Sequence, residues 1–169
     1  MRALKTILVM LFTVVGLAAI LALLGPATTV IARTKVFPVP FAQAQALQLD
    51  SAQWRHWLPS FRAQAPLQAT AAGDSLVTTG TFPDPFTGAA RAVMTLQAMG
   101  DSTAATWTFT AENDIYARIF LMLNEAARPV EEGLDRSLGQ LGALADAAAA
   151  SQAVALRART FHGFPVQEE

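Results

Sequence analysis

The sequence holds no cysteine. That absence removes disulfide cross-links, a thiolate nucleophile and every metal site built on sulfur. Histidine is nearly as scarce, with only His56 and His162. Two imidazoles and scattered carboxylates fall short of the three or four convergent ligands that a metal ion requires. Neither histidine has a neighbour in sequence that would make it a general base. Ser60, Ser75 and Ser102 lie outside any nucleophile-elbow context, and no glycine-rich phosphate loop is present. A basic excess is missing too: without Arg2 and Lys5, ten basic residues face thirteen acidic ones. Nucleic-acid binding depends on neutralising phosphates, so this balance excludes that class of partner. The residues therefore nominate no catalytic group, no metal and no cofactor.

What the chain has in excess is apolar residues, 53% of the total, against roughly 45–50% in ordinary soluble domains. The excess is concentrated at one end. Thr6 to Leu24 reads TILVMLFTVVGLAAILALL, nineteen residues without a charge. At ~1.5 Å per residue such a helix just crosses a ~30 Å hydrocarbon core. Arg2 and Lys5 flank it on the N-terminal side and no acid precedes it, which places the N-terminus in the cytoplasm and the rest outside. A cleaved signal peptide usually has a shorter apolar core of ~7–15 residues with a small-residue site behind it. Gly25-Pro26-Ala27 serves poorly as such a site. The pattern predicts a single-pass protein of a bacterial inner membrane with an extracytoplasmic domain. Residues 1–26 are the anchor, 27–151 one domain and 152–169 a tail forming a short strand or loop.

Behind Gly25-Pro26, Thr29 to Phe37 is rich in β-branched residues and reads as a strand ended by Pro38-Val39-Pro40. FAQAQALQL, Phe41 to Leu49, reads as a short helix, and Asp50 or Ser51 as the cap of a second one carrying Trp54 and Trp57. Alternation then dominates. Leu67-Gln68-Ala69-Thr70-Ala71 and SLVTTGTF flank the turn at Gly73-Asp74, a loop follows at Pro83-Asp84-Pro85, and two further strands flank Gly100-Asp101. The last of these has Trp107 and Phe109 on one face and Thr106, Thr108 and Thr110 on the other, one side buried and one wet. Asn113 or Asp114 should cap a long helix that begins with Ile115, Ile119, Met122 and Leu123. Pro129 should kink or restart that helix. Val130, Leu134, Leu138, Leu141 and Leu144 then form one apolar stripe.

Four segments resemble the polyketide cyclase/dehydrase, START-like (SRPBCC, Bet v 1-like) superfamily. VIARTKVFPVPFAQAQAL, Val30 to Leu47, looks like its opening strand, loop and first helix. Asp50, Trp54, Trp57 and Pro59 match its D-x-x-x-W-x-x-W-x-P stretch. Thr106 to Asn113, TWTFTAEN, is similar to its last strand, and EEGLDRSLGQLGALAD to its closing helix through Glu132, Gly133, Leu134 and Leu138. The resemblance implies an α+β helix-grip fold: an antiparallel sheet, two short helices and a long C-terminal helix. The length between Pro59 and Asn113 suits roughly four strands, so the sheet should have about five in place of the family's seven. The resemblance also implies a pocket for a hydrophobic small molecule, smaller or more open than usual. Trp57, Met94, Trp107, Phe109, Met122 and Leu123 are the candidate lining. The same aromatics also suit plain core filling, as large rings do in small domains. Three readings follow: an anchored binder of a lipid-like molecule acting without catalysis, a cyclase or dehydratase by family analogy, and an envelope protein that binds another protein through an exposed apolar patch.

Overall fold

The apolar N-terminal run forms α1, Arg2–Leu24, in the computed structural model, which describes residues 2–60, 67–86 and 88–161. The helix is long and apolar enough to cross a membrane, and the rest of the described domain does not bury its apolar stretch. Gly25-Pro26 ends it. β1, Thr28–Phe37, follows at once and stops at Pro38. α2 spans Phe41–Leu49, the range that its helix-forming composition predicts. α3 is one turn, Trp54–Trp57. The N-cap of α3 is Gln53, without a side-chain cap, and not Asp50 or Ser51; Asp50 Oδ1 instead accepts from the Ala52 N–H at 3.0 Å inside the turn that leads to α3.

Four strands complete the sheet: β2, Gln68–Ala72; β3, Ser75–Thr79; β4, Ala90–Met99; and β5, Ser102–Glu112. Gly100, at φ +65°, supplies the left-handed residue for the tight β4–β5 turn. All neighbours are antiparallel, in the order β1-β5-β4-β3-β2. The chain thus crosses from β1 at one edge to β2 at the other by way of α2 and α3, then meanders back. Trp107 of β5 is opposite Arg33 of β1 and Met94 of β4, and Met94 is opposite Leu76 of β3. Side chains in such a cross-strand row share one face. On the other face of β5 the threonines are half-buried and not fully wet; Thr106 Oγ1 lies 2.8 Å from Thr34 Oγ1.

Beyond β5 the structure departs from one continuous helix. α4, Ile115–Leu123, is capped by Asp114, whose Oδ1 accepts from the Ala117 N–H at 2.7 Å. Extended Asn124 ends it, and α5 starts afresh at Arg128. Pro129 sits in the first turn of α5, where a missing N–H costs no hydrogen bond. α5 then continues to Phe161, so the strand or loop expected after Ala150 is helix as far as that residue. The reason is propensity: Ala147 to Arg159 contains no glycine or proline to stop it. β3 is also shorter than the SLVTTGTF pattern suggests. It ends at Thr79, and the following loop turns Phe82 inward.

Candidate ligand site between the sheet and α5

The inner face of the sheet is built by alternation. Residues 105, 107, 109 and 111 of β5, 92 and 94 of β4, and 76 of β3 are buried at or near zero exposure. α5 covers them with Val130, Leu134, Leu138 and Leu141, as the spacing predicts, and then with Ala145, while Leu144 is only half-buried. Two polar contacts fix this helix to the sheet. The Trp107 indole Nε1 donates to Ser137 Oγ at 3.0 Å. Arg33, on the inner face of the edge strand β1, forms ion pairs with Glu131 and Asp135 in the first turns of α5. A long helix held across a curved antiparallel meander, with two short helices between the first and second strands, decides the architecture.

The chain has the START-like helix-grip fold.

No family profile and no curated protein matches the sequence. Solved structures do match in shape. A protein from Thermus thermophilus superposes with a TM-score of 0.50 at 14% identity, covering 71% of this chain and 99% of its own. A START superfamily protein from Mycobacterium smegmatis gives a TM-score of 0.47 at 14% identity, over 68% of this chain and 98% of that one. At these identities the likeness is one of fold alone.

Within this helix grip, four of the six candidate lining residues come together. Trp57, Met94, Trp107 and Phe109 are all at 0% exposure in one buried cluster. Met122 and Leu123 are elsewhere. They lie on α4, outside the sheet–α5 layer, at 47% and 63% exposure. The interruption of the helix at Asn124 separates α4 from α5, and α4 packs on α1. His56 is exposed on α3, with its Nε2 accepting from Arg55 Nε at 3.1 Å. His162 lies outside the described residues. Among the described residues, no cluster of three or more His, Asp or Glu side chains is placed to hold a metal ion.

Three interior residues carry no signal that the sequence patterns above pick out. Phe82 and Phe86 enter the core from the β3–β4 loop and meet Phe109 edge-on, with ring centroids 4.9 and 5.1 Å apart. Two phenylalanines spaced four apart among prolines, FPDPF, were the available hint. Gln48 is fully buried on α2, on the same face as Ala44 one turn earlier. Its Nε2 donates to the Met94 carbonyl at 3.2 Å, while its Oε1 has no partner. The Trp57 indole N–H is likewise buried and unpartnered. A buried polar atom left unpaired costs about 1–3 kcal/mol. The interior thus holds a cluster of aromatic side chains, with one unpaired acceptor on Gln48 and one unpaired donor on Trp57.

The acidic and basic groups elsewhere form open grooves at the surface. One of about 400 Å³ is lined by Glu125, Ala127, Arg128, Glu131, Glu132 and Asp135 at the start of α5. These carboxylates suit the positive end of the helix dipole, and Arg128 pairs with both Glu125 and Glu132.

Proposed function

We propose that this chain is a single-pass membrane protein whose helix-grip domain, on the extracytoplasmic side, binds a lipid-like or other apolar small molecule between the sheet and α5 without catalysis. The observation that carries the reading is the make-up of the interior. Trp57, Trp107, Phe109 and Met94 pack in one buried cluster, which Phe82 and Phe86 enter from a loop rather than from the sheet or α5. A loop can move while the sheet and helix hold their places. An apolar guest would take the position of the two phenyl rings, and Gln48 Oε1 and Trp57 Nε1 would meet its polar group.

Burial drives such binding, at about 25 cal/mol per Å² of apolar surface before ordering costs are subtracted. The β3–β4 loop leads into β4, whose first residues pair with the end of β5 beside the start of β1, immediately after α1. The phenyl rings thus enter from the end of the domain nearest the anchor, where a guest leaving a bilayer would arrive.

The test uses the full chain in lipid vesicles and a brominated fatty acid, whose bromines quench tryptophan on contact. Saturable quenching of tryptophan emission is expected, with the larger part lost in Trp107→Phe. Emission unchanged at saturating brominated fatty acid would overturn the reading.

A further inference from the structure

The apolar residues of α4 do not belong to the ligand site, and the domain leaves them uncovered. Ile115, Tyr116, Met122 and Leu123 are 68%, 56%, 47% and 63% exposed. With half-buried Ile119 they fall at i, i+1, i+4, i+7 and i+8, one continuous stripe along a nine-residue helix. The opposite side is the one that packs on the protein: Ala117 is buried and Leu121 rests against the core.

The position of this helix relative to α1 is closely specified. α4 packs on α1. At their crossing a Cβ on Gly25 would lie 2.7 Å from Arg118 Cβ and 2.9 Å from the Arg118 carbonyl oxygen. Only glycine permits that approach. Asn113, 5% exposed, ties the two junctions together. Its backbone N–H donates to the Ala27 carbonyl at 2.9 Å, and its Nδ2 donates to the Pro26 carbonyl at 2.9 Å and to Thr29 Oγ1 at 2.8 Å. The stripe is thus pinned beside the last turn of the apolar span, at the level where that span ends.

We infer that α4 is a second membrane contact, lying in the plane of the bilayer interface with Ile115, Tyr116, Ile119, Met122 and Leu123 buried among headgroups and upper acyl chains. The inference rests on the anchoring proposed above and adds the surface that orients the domain on the bilayer. The occupant follows from continuity: a surface abutting the end of a span meets lipid before it meets anything else. The composition fits as well. Interfacial helices bury an apolar face ~5–10 Å into the headgroup and acyl boundary, and tyrosine is enriched at that depth. Held at two places, the domain cannot swing freely about Gly25-Pro26, and the phenyl-lined end of the site stays turned towards the membrane.

The absence of cysteine makes the test direct. Ile115→Cys, Met122→Cys and Leu123→Cys, each in the full chain, carry an environment-sensitive fluorophore in vesicles of neutral and anionic phospholipid. Phe12→Cys in mid-span and Gln97→Cys on the exposed face of β4 are the references. Nitroxides are placed on lipid chains either just below the carbonyl or near the terminal methyl. The α4 labels are expected to shift to the blue and to be quenched best by the shallow nitroxide, the Phe12 label by the deep one, and the Gln97 label by neither. If the Phe12 label is quenched and the α4 labels are not, α4 does not touch lipid although the anchor spans. A blue shift without lipid quenching overturns the inference equally, with a protein surface covering the stripe. If the Phe12 label also escapes quenching, the anchoring reading falls together with this one.

Discussion

Asn113 shows how one buried amide can carry a junction. It joins the end of β5 to the turn after α1 and to the start of β1, just ahead of the Asp114 cap of α4. Asn113→Ala deletes both side-chain donations and leaves the Pro26 carbonyl and Thr29 hydroxyl to find other partners. Denaturant unfolding should register a loss of about 1–3 kcal/mol; a change within experimental scatter would show that the amide is dispensable. Gln48 is a second buried amide, and like Asn113 it leaves its side-chain oxygen without a partner. Its unpaired Oε1 is a cost in the folded domain, so Gln48→Met, which keeps the volume, should leave stability within about 1.5 kcal/mol of the original. If that oxygen meets the guest's polar group, the same substitution weakens brominated fatty acid binding several-fold in the tryptophan-quenching titration. Unaltered binding would remove Gln48 from the site.

At the scale of elements, the two phenyl rings and the two ends of α5 behave differently. Phe82 and Phe86 are buried at 0% and 2% exposure and pack on Phe109. Replacing either with alanine should cost about 3–5 kcal/mol if the loop cannot collapse into the space. Part of that loss should return on adding the fatty acid, because a ligand that binds only the folded state stabilises it. A variant whose unfolding midpoint ignores the ligand would contradict the idea that guest and rings share one place. α5 is held by Val130, Leu134, Leu138, Leu141 and Ala145, whereas Ser151 to Val154 are exposed on consecutive positions around the helix. A helix without tertiary cover is marginal in water. Amide hydrogen exchange should therefore be slow through residues 134–145 and much faster beyond residue 150. Uniform protection along α5 would mean that its C-terminal part has a partner.

For the whole molecule, the anchoring proposed above raises the question of which side of the membrane would carry the domain. Arg2 and Lys5 flank α1 at its start, and the positive-inside tendency puts that end in the cytoplasm. Gln97→Cys, on an exposed position of β4, should react with a membrane-impermeant maleimide in intact spheroplasts. Labelling that appears only after lysis would reverse the orientation.

Elements with a simple period were legible from the amino acids alone. α1 follows from an uncharged run, α2 from its composition, β5 from strict alternation, and the α5 stripe from four- and three-residue spacing. Each signal is local, set by which face of a helix or strand must leave water. Trp107 and Phe109 of β5 were legible as buried for the same reason, as were Met94 on β4 and Trp57 on α3: each is a large apolar side chain at an inward position of its element. Only the tertiary structure decided that Met122 and Leu123 stand apart from them. The break at Asn124 carries α4 to α1, and the contact that holds it there joins Gly25 to Arg118, far apart in the chain. Only the tertiary structure, too, placed Gln48, Phe82 and Phe86 inside. A glutamine in a short uncharged helix and a pair of phenylalanines in a proline-rich loop carry no clear periodicity; whether they are buried depends on what the rest of the chain brings over them.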